Sequence, residues 1–170
     1  TLCFIGQDFI ASVERTKPIL HIWPLNSHER VAGLRFVLPG RPTALAFSPS
    51  GHYCVAGIEE KIYIWQTSSG SLLNILSRHY QTISNIKFTD DGSHFVSAGD
   101  DGIVLVWTLN NVILNPGIHM TLQSNTDPLY IFSDHSLPVK DIHIGKGGIR
   151  CRLVTASIDR TCKIYDLCSG

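Results

Sequence analysis

Four short apolar segments, each closing on an aromatic residue, recur along this chain, and that recurrence constrains the fold more than any other feature. His21-Ile22-Trp23, Tyr63-Ile64-Trp65, Leu105-Val106-Trp107 and Lys163-Ile164-Tyr165 lie 42, 42 and 58 residues apart. The equal intervals define a structural unit, and the longer one is a unit with an insertion.

Each unit repeats the same strand signals. A first strand is read at Ile83, Ile86 and Phe88, again at Val139, Ile142 and Ile144, and more loosely at Leu45 and Phe47. Turns follow at Pro49-Ser50-Gly51 and Asp90-Asp91-Gly92, where glycine supplies the positive φ of a tight hairpin. Second strands run over Tyr53 to Ala56, Phe95 to Ala98 and Leu153 to Ala156, and third strands end at the aromatics. A polar turn such as Ser68-Ser69-Gly70 then precedes an outer strand, Leu72 to Leu76. Four strands in a period of ~40–45 residues describe one blade of a β-propeller.

The series resembles the WD40 family. The resemblance implies a hydrogen-bonding tetrad of His, Ser/Thr, Asp and Trp, matched in the third unit by His79, Ser97, Asp101 and Trp107. In the fourth unit His135, Thr155 and Asp159 match, with Tyr165 in place of Trp. In both, the hydroxyl residue precedes Asp by four positions and Asp precedes the aromatic by six. A blade buries polar loop ends against its own sheet, and each orphaned group costs ~1–3 kcal/mol. A His bridging hydroxyl and carboxylate, with the chain ending on an indole N–H, satisfies every member. The first two units depart from the pattern: Lys17 and Glu59 occupy the Asp offset, Leu38 sits near the expected His, and the second unit's Ser position falls on Val55 or Ala56. Apolar packing is expected to hold those blades.

The expected units are 1–38, 39–77, 78–134 and 135–170. The third carries an inserted loop at 108–126, in which Asn111-Val112-Ile113-Leu114 reads equally as a helical turn or an extended loop, and Tyr130-Ile131-Phe132 is its delayed outer strand. The fourth lacks an outer strand. The fold class is therefore all-β, an incomplete sector of about four blades of a seven-bladed WD40 propeller, read as a piece of a longer protein.

Composition narrows the function. Fourteen basic residues balance fourteen acidic ones, so the chain has no overall charge with which to hold a phosphate backbone or an anionic membrane. No apolar run reaches the ~18 residues of a membrane span. Five cysteines without a Cys-x-x-Cys pair read as reduced, packed thiols. Ser133-Asp134-His135 has the residue types of a catalytic triad, but a triad needs mutual geometry rather than adjacency, and His135 is assigned to the tetrad. The pairs Glu59-Glu60, Asp90-Asp91 and Asp100-Asp101 are turn residues. Gly145-Lys146-Gly147-Gly148 lacks phosphate-loop spacing and reads as a hairpin loop. No catalytic residue, metal ligand or cofactor site is expected. Arg78, Tyr80 and Gln81 around His79, together with Arg160, are the candidate partner-binding residues.

Within the WD40 family the chain resembles a ribosome-assembly branch, clearest at Ser68-Ser69-Gly70, Ile75-Leu76-Ser77-Arg78-His79-Tyr80-Gln81, Ser93-His94-Phe95 and Asp134-His135-Ser136-Leu137-Pro138. That resemblance implies a non-catalytic scaffold subunit of a Rix-type complex. Its roles are large ribosomal subunit assembly and processing of the pre-rRNA internal transcribed spacer. Implied partners are other Rix-type subunits directly, and a midasin-type AAA+ ATPase and the pre-large-subunit particle indirectly. No membrane and no strong direct nucleic-acid binding are expected, and the implied location is the nucleus, in nucleolus and nucleoplasm. The alternative is a generic WD40 adaptor, such as a ubiquitin-ligase substrate receptor; a hydrolytic propeller enzyme is disfavoured, because Thr43, Ser84, Asn85, Lys140 and Asp141 on the inner strands look too scattered for a site.

Overall fold

The computed structural model describes residues 2–5, 9–14, 17–25, 35–114 and 127–170. Strands β1 (Leu2–Ile5), β2 (Phe9–Val13), β3 (Ile19–Pro24) and β4 (Arg35–Val37) form the first antiparallel sheet, in that order. Strands β5 (Ala44–Phe47), β6 (Tyr53–Ile58), β7 (Lys61–Gln66) and β8 (Leu72–Leu76) form the second. The third holds β9 (Ile83–Phe88), β10 (His94–Gly99), β11 (Val104–Thr108) and β12 (Tyr130–Phe132), and the fourth has β13 (Val139–Ile144), β14 (Arg152–Ser157) and β15 (Cys162–Asp166). Each sheet is a meander. Strand β1 packs on β5, β5 on β9 and β9 on β13, so the first strands line the inside of a radial stack, a partial β-propeller.

Strand alternation explains why the blades stack. In β6, Cys54, Ala56 and Ile58 join Leu20, Ile22 and Leu38 in the core between blades 1 and 2, while Val55 points the other way, into the core between blades 2 and 3. That second core joins Ile62, Ile64 and Leu76 to Ile83, Phe95, Leu105 and Trp107. A third core sets Val96, Ala98, Val104 and Val106 of blade 3 against Val139, Ile142 and Leu153 of blade 4. Each fully buried large side chain contributes about 1.5–3 kcal/mol, so the seams between blades hold most of the stabilisation.

The insertion begins as helix α1 (Leu109–Leu114), which resolves the helix-or-loop ambiguity; residues 115–126 lie outside the described residues. Leu109 and Val112 of α1 are buried in the core between blades 2 and 3, and the fully buried Asn74 of β8 donates its amide to the Val112 carbonyl at 2.6 Å. The start of the insertion thus plugs the outer end of a seam. All five cysteines are free thiols, but the packed-thiol expectation fails for two of them: Cys162 and Cys168 are exposed. Cys162 stands on the face of blade 4 turned away from blade 3, where no described element covers it. Burial raises the thiol pKa of Cys3, Cys54 and Cys151, which keeps them protonated.

Candidate functional site: buried histidine networks and the loops they hold

Blade 3 brings His79, Ser97, Asp101 and Trp107 together. Trp107 Nε1–H donates to Ser97 Oγ at 3.0 Å, Ser97 Oγ lies 2.9 Å from His79 Nε2, and His79 Nδ1 lies 2.9 Å from Asp101 Oδ2. An indole only donates and a carboxylate only accepts, so the chain has one direction. Ser97 gives its proton to Nε2, and the imidazole carries its own on Nδ1. The Asp101 carboxylate also accepts the backbone N–H of Tyr80 and of Ile103, both at 3.0 Å. Burial pushes the Asp101 carboxyl up, but bonds from His79, Tyr80 and Ile103 outweigh it and leave the group below its ordinary range. Gly99 makes the space: a Cβ there would stand 2.6 Å from Asp101 Oδ1 and 2.8 Å from His79 Nδ1.

Blade 4 repeats three of the four members. His135 Nε2 lies 2.7 Å from Thr155 Oγ1 and His135 Nδ1 lies 2.8 Å from Asp159 Oδ2. Thr161 adds its hydroxyl and its N–H to Asp159 Oδ1, at 2.6 and 2.9 Å. The Thr161 hydroxyl is the leading cause that holds the Asp159 carboxyl well below its ordinary range, with His135 contributing. Tyr165 departs from the expected tetrad. It occupies the register of Trp107, opposite Leu153 as Trp107 is opposite Phe95, yet its hydroxyl is buried without a hydrogen-bond partner among the described residues. The ring stacks on Phe132 with centroids 4.1 Å apart, and burial with the nearby Asp134 carboxylate pushes the phenol up to about 12. A phenol reaches along its ring axis where an indole N–H points sideways, so it does not take over the bond to the hydroxyl.

Register settles the second blade. Cys54 faces Trp65 as Phe95 faces Trp107, so the position equivalent to Ser97 is Ala56, not Val55. Leu38 and Ala56 are both buried, and Glu59 sits exposed with φ +56° at a hairpin turn. Blade 1 is held by apolar packing through Ala11, Leu20 and Ile22, and its exposed face adds a bond from Trp23 Nε1–H to Ser12 Oγ at 3.2 Å. The Ser-to-Trp offset is 11 residues here against 10 in blade 3, so a fixed offset does not find the pair.

Both His135 nitrogens are committed to the network, so the Ser133-Asp134-His135 triad has no base to use. Among the described residues no three His, Cys, Asp or Glu side chains gather as a metal site. The inner-strand polar residues are less scattered than they look: Asn85 donates to Asp141 at 2.7 Å, and Ser84 donates to the Val139 carbonyl, both across the seam between blades 3 and 4.

The partner-binding candidates surround His79. Arg78 is exposed and forms an ion pair with Asp127; Gln81 is exposed; Tyr80 is 83% exposed although its own N–H is fixed to Asp101. Arg160 is exposed in the turn between β14 and β15, with φ +69° where the corresponding turn of blade 3 has Gly102 at +76°. The two regions meet: Gly102 abuts the His135 and Leu137 carbonyls, and Ile158 N–H bonds to the Pro138 carbonyl. Arg78, Tyr80, Gln81 and Arg160 are therefore carried by loops at one end of adjacent blades.

A family model described as "WD domain, G-beta repeat" matches residues 70–108 and 126–166, the two segments that hold the histidine networks. The matched segments are WD40 repeats. The chain is 40% identical to WD repeat-containing protein 18 of Danio rerio over 100% of this chain and 38% of that protein. It is 37% identical to WD repeat-containing protein 18 of Homo sapiens over 99% of this chain and 38% of that protein. Against the pre-rRNA-processing protein crb3/ipi3 of Schizosaccharomyces pombe it is 31% identical, over 96% of this chain and 36% of that protein. The chain thus spans less than two fifths of the length of these relatives.

Proposed function

We propose that this WD40 segment belongs to a non-catalytic scaffold acting in large ribosomal subunit assembly, as a Rix-type complex subunit that supports processing of the pre-rRNA internal transcribed spacer. The observation that carries the reading is similarity along nearly the whole chain to a relative named as a pre-rRNA-processing protein. The zero formal charge agrees with a component held by protein rather than by RNA. Other Rix-type subunits are the direct partners; a midasin-type AAA+ ATPase and the pre-large-subunit particle are reached through them, in nucleolus and nucleoplasm.

The contact surface in this reading is the loop end that carries Arg78, Tyr80, Gln81 and Arg160. A buried network grips the backbone beside Tyr80, so the exposed aromatic is presented on a fixed loop and loses little freedom on docking. Affinity purification of the intact tagged protein tests the proposal. Co-purifying ribosome-assembly factors, lost from a Tyr80→Ala/Arg160→Ala variant that keeps its fold, support it. Cullin-type components in their place would establish the adaptor alternative. Tight, salt-steep binding of partner-free protein to pre-rRNA in filter assays would refute the protein-held mode.

A further inference from the structure

The glycine run Gly145-Lys146-Gly147-Gly148 meets a carboxylate of blade 3. The turn Asp90-Asp91-Gly92 joins β9 to β10, and the segment with the glycines joins β13 to β14, so the two lie at equivalent places in neighbouring blades. Asp90 crosses between them. Gly147 N–H donates to Asp90 Oδ2 at 2.9 Å and Gly148 N–H donates to Asp90 Oδ1 at 2.6 Å. Gly147 and Gly148 have φ of +120° and +60°, and their consecutive amides converge on the one carboxylate as a concave receptor for an anion. Gly148 is required twice over, by its positive φ and because a Cβ on it would clash with Asp91 Oδ2. Gly147 has open space around it, so only its backbone angle demands glycine.

The neighbouring carboxylate has a different task. Asp91 accepts from the Thr89 hydroxyl at 2.6 Å and from the Ser93 N–H at 3.0 Å, both inside its own turn. Asp90 is therefore the member of the pair turned toward the next blade. Blade 2 has Pro49-Ser50-Gly51 at the same turn, with no carboxylate to offer blade 3. The two amides are the largest causes that hold the Asp90 carboxyl below its ordinary range.

We propose that Gly147 and Gly148 form a receiving nest in blade 4 for the Asp90 carboxylate of blade 3, an interblade latch that fastens one end of this seam. With Ser84 on the Val139 carbonyl, Asn85 on Asp141 and Lys140 on Asp100, the latch joins the two network-bearing blades into one rigid body. The inference is independent of the ribosomal reading.

Amide hydrogen exchange on the intact protein tests it. Asp90→Ala and Asp90→Asn speed exchange at Gly147 and Gly148 by about tenfold or more, the scale of losing charge-assisted hydrogen bonds, while blade 2 amides stay unchanged. In a double-mutant cycle with Gly148→Ala, the combined destabilisation is smaller than the sum of the single losses. Unchanged exchange at both glycines, or strictly additive losses, would overturn the latch. Asp90 lies at an exposed turn, so the exchange measurement is readable even where Gly148→Ala does not fold.

Discussion

Blades 2 and 3 share a strand register but fill their centres in opposite ways. Where blade 3 has His79, Ser97 and Trp107 in a directed hydrogen-bond chain, blade 2 has Leu38, Ala56 and Trp65 in an apolar core. The difference teaches that this propeller accepts either a hydrogen-bonded His–Ser pair or an apolar Leu–Ala pair at the same two positions beside the indole. A half-converted centre is the costly state, since it leaves a polar group buried without a partner.

Removing the imidazole breaks the comparison most severely. His79→Leu places blade 2's residue in blade 3, takes the acceptor from the Ser97 hydroxyl proton and one donor from the buried Asp101 carboxylate, so it costs about 3–5 kcal/mol in the unfolding free energy of the intact protein. Adding Ser97→Ala removes the unpaired hydroxyl proton but also the acceptor of the Trp107 indole, and the double variant lies within about 1 kcal/mol of the single one. A loss below about 1 kcal/mol for His79→Leu alone would show that the network does not hold the blade.

Acid separates the same blades more gently. The Asp101 carboxyl lies below its ordinary value of 3.8 in the folded state, so its stabilisation is present above that value and fades as pH falls through the lower folded one. Asp159 behaves alike in blade 4. Hydrogen-exchange protection in β10 and β14 therefore declines below about pH 3.8 before that in β6, which has no such carboxylate beneath it. Simultaneous loss in all three strands would contradict this order.

The reverse substitution sharpens the point. Ala56→Ser puts a hydroxyl at a fully buried site in the same apolar cluster as Leu38, whose side chain offers no acceptor. The expected cost is about 1–3 kcal/mol by thermal or urea unfolding.

The repeat was legible because period and strand alternation are local properties of sequence, and the tetrad of blade 3 was legible because its offsets are fixed by hairpin length. What escaped were contacts that join separate parts of the chain. Gly99 carries a packing requirement set by His79, twenty positions earlier, and Asn74 is bonded to a helix in a later insertion. Ser12 was hidden by an offset one residue longer, and Asp90 by the ordinary look of an Asp-Asp-Gly hairpin. None of these partners lies within its own residue's local pattern, so spacing alone does not announce them.

Blade 4 stands between the two solutions, and its weak point offers the smallest test. Its network ends at Thr155, because Tyr165 replaces the indole donor with a phenol whose hydroxyl is buried without a partner among the described residues. The ring itself is useful, stacked 4.1 Å from Phe132. Tyr165→Phe keeps the stacking and deletes only the orphaned oxygen, so unfolding measurements should find it neutral or stabilising by up to about 1 kcal/mol. A Tyr-to-Phe change at a bonded buried phenol would instead lose about 1 kcal/mol or more. The sign of the effect thus decides whether blade 4 is a three-membered network carrying a polar defect or a four-membered one completed through Tyr165.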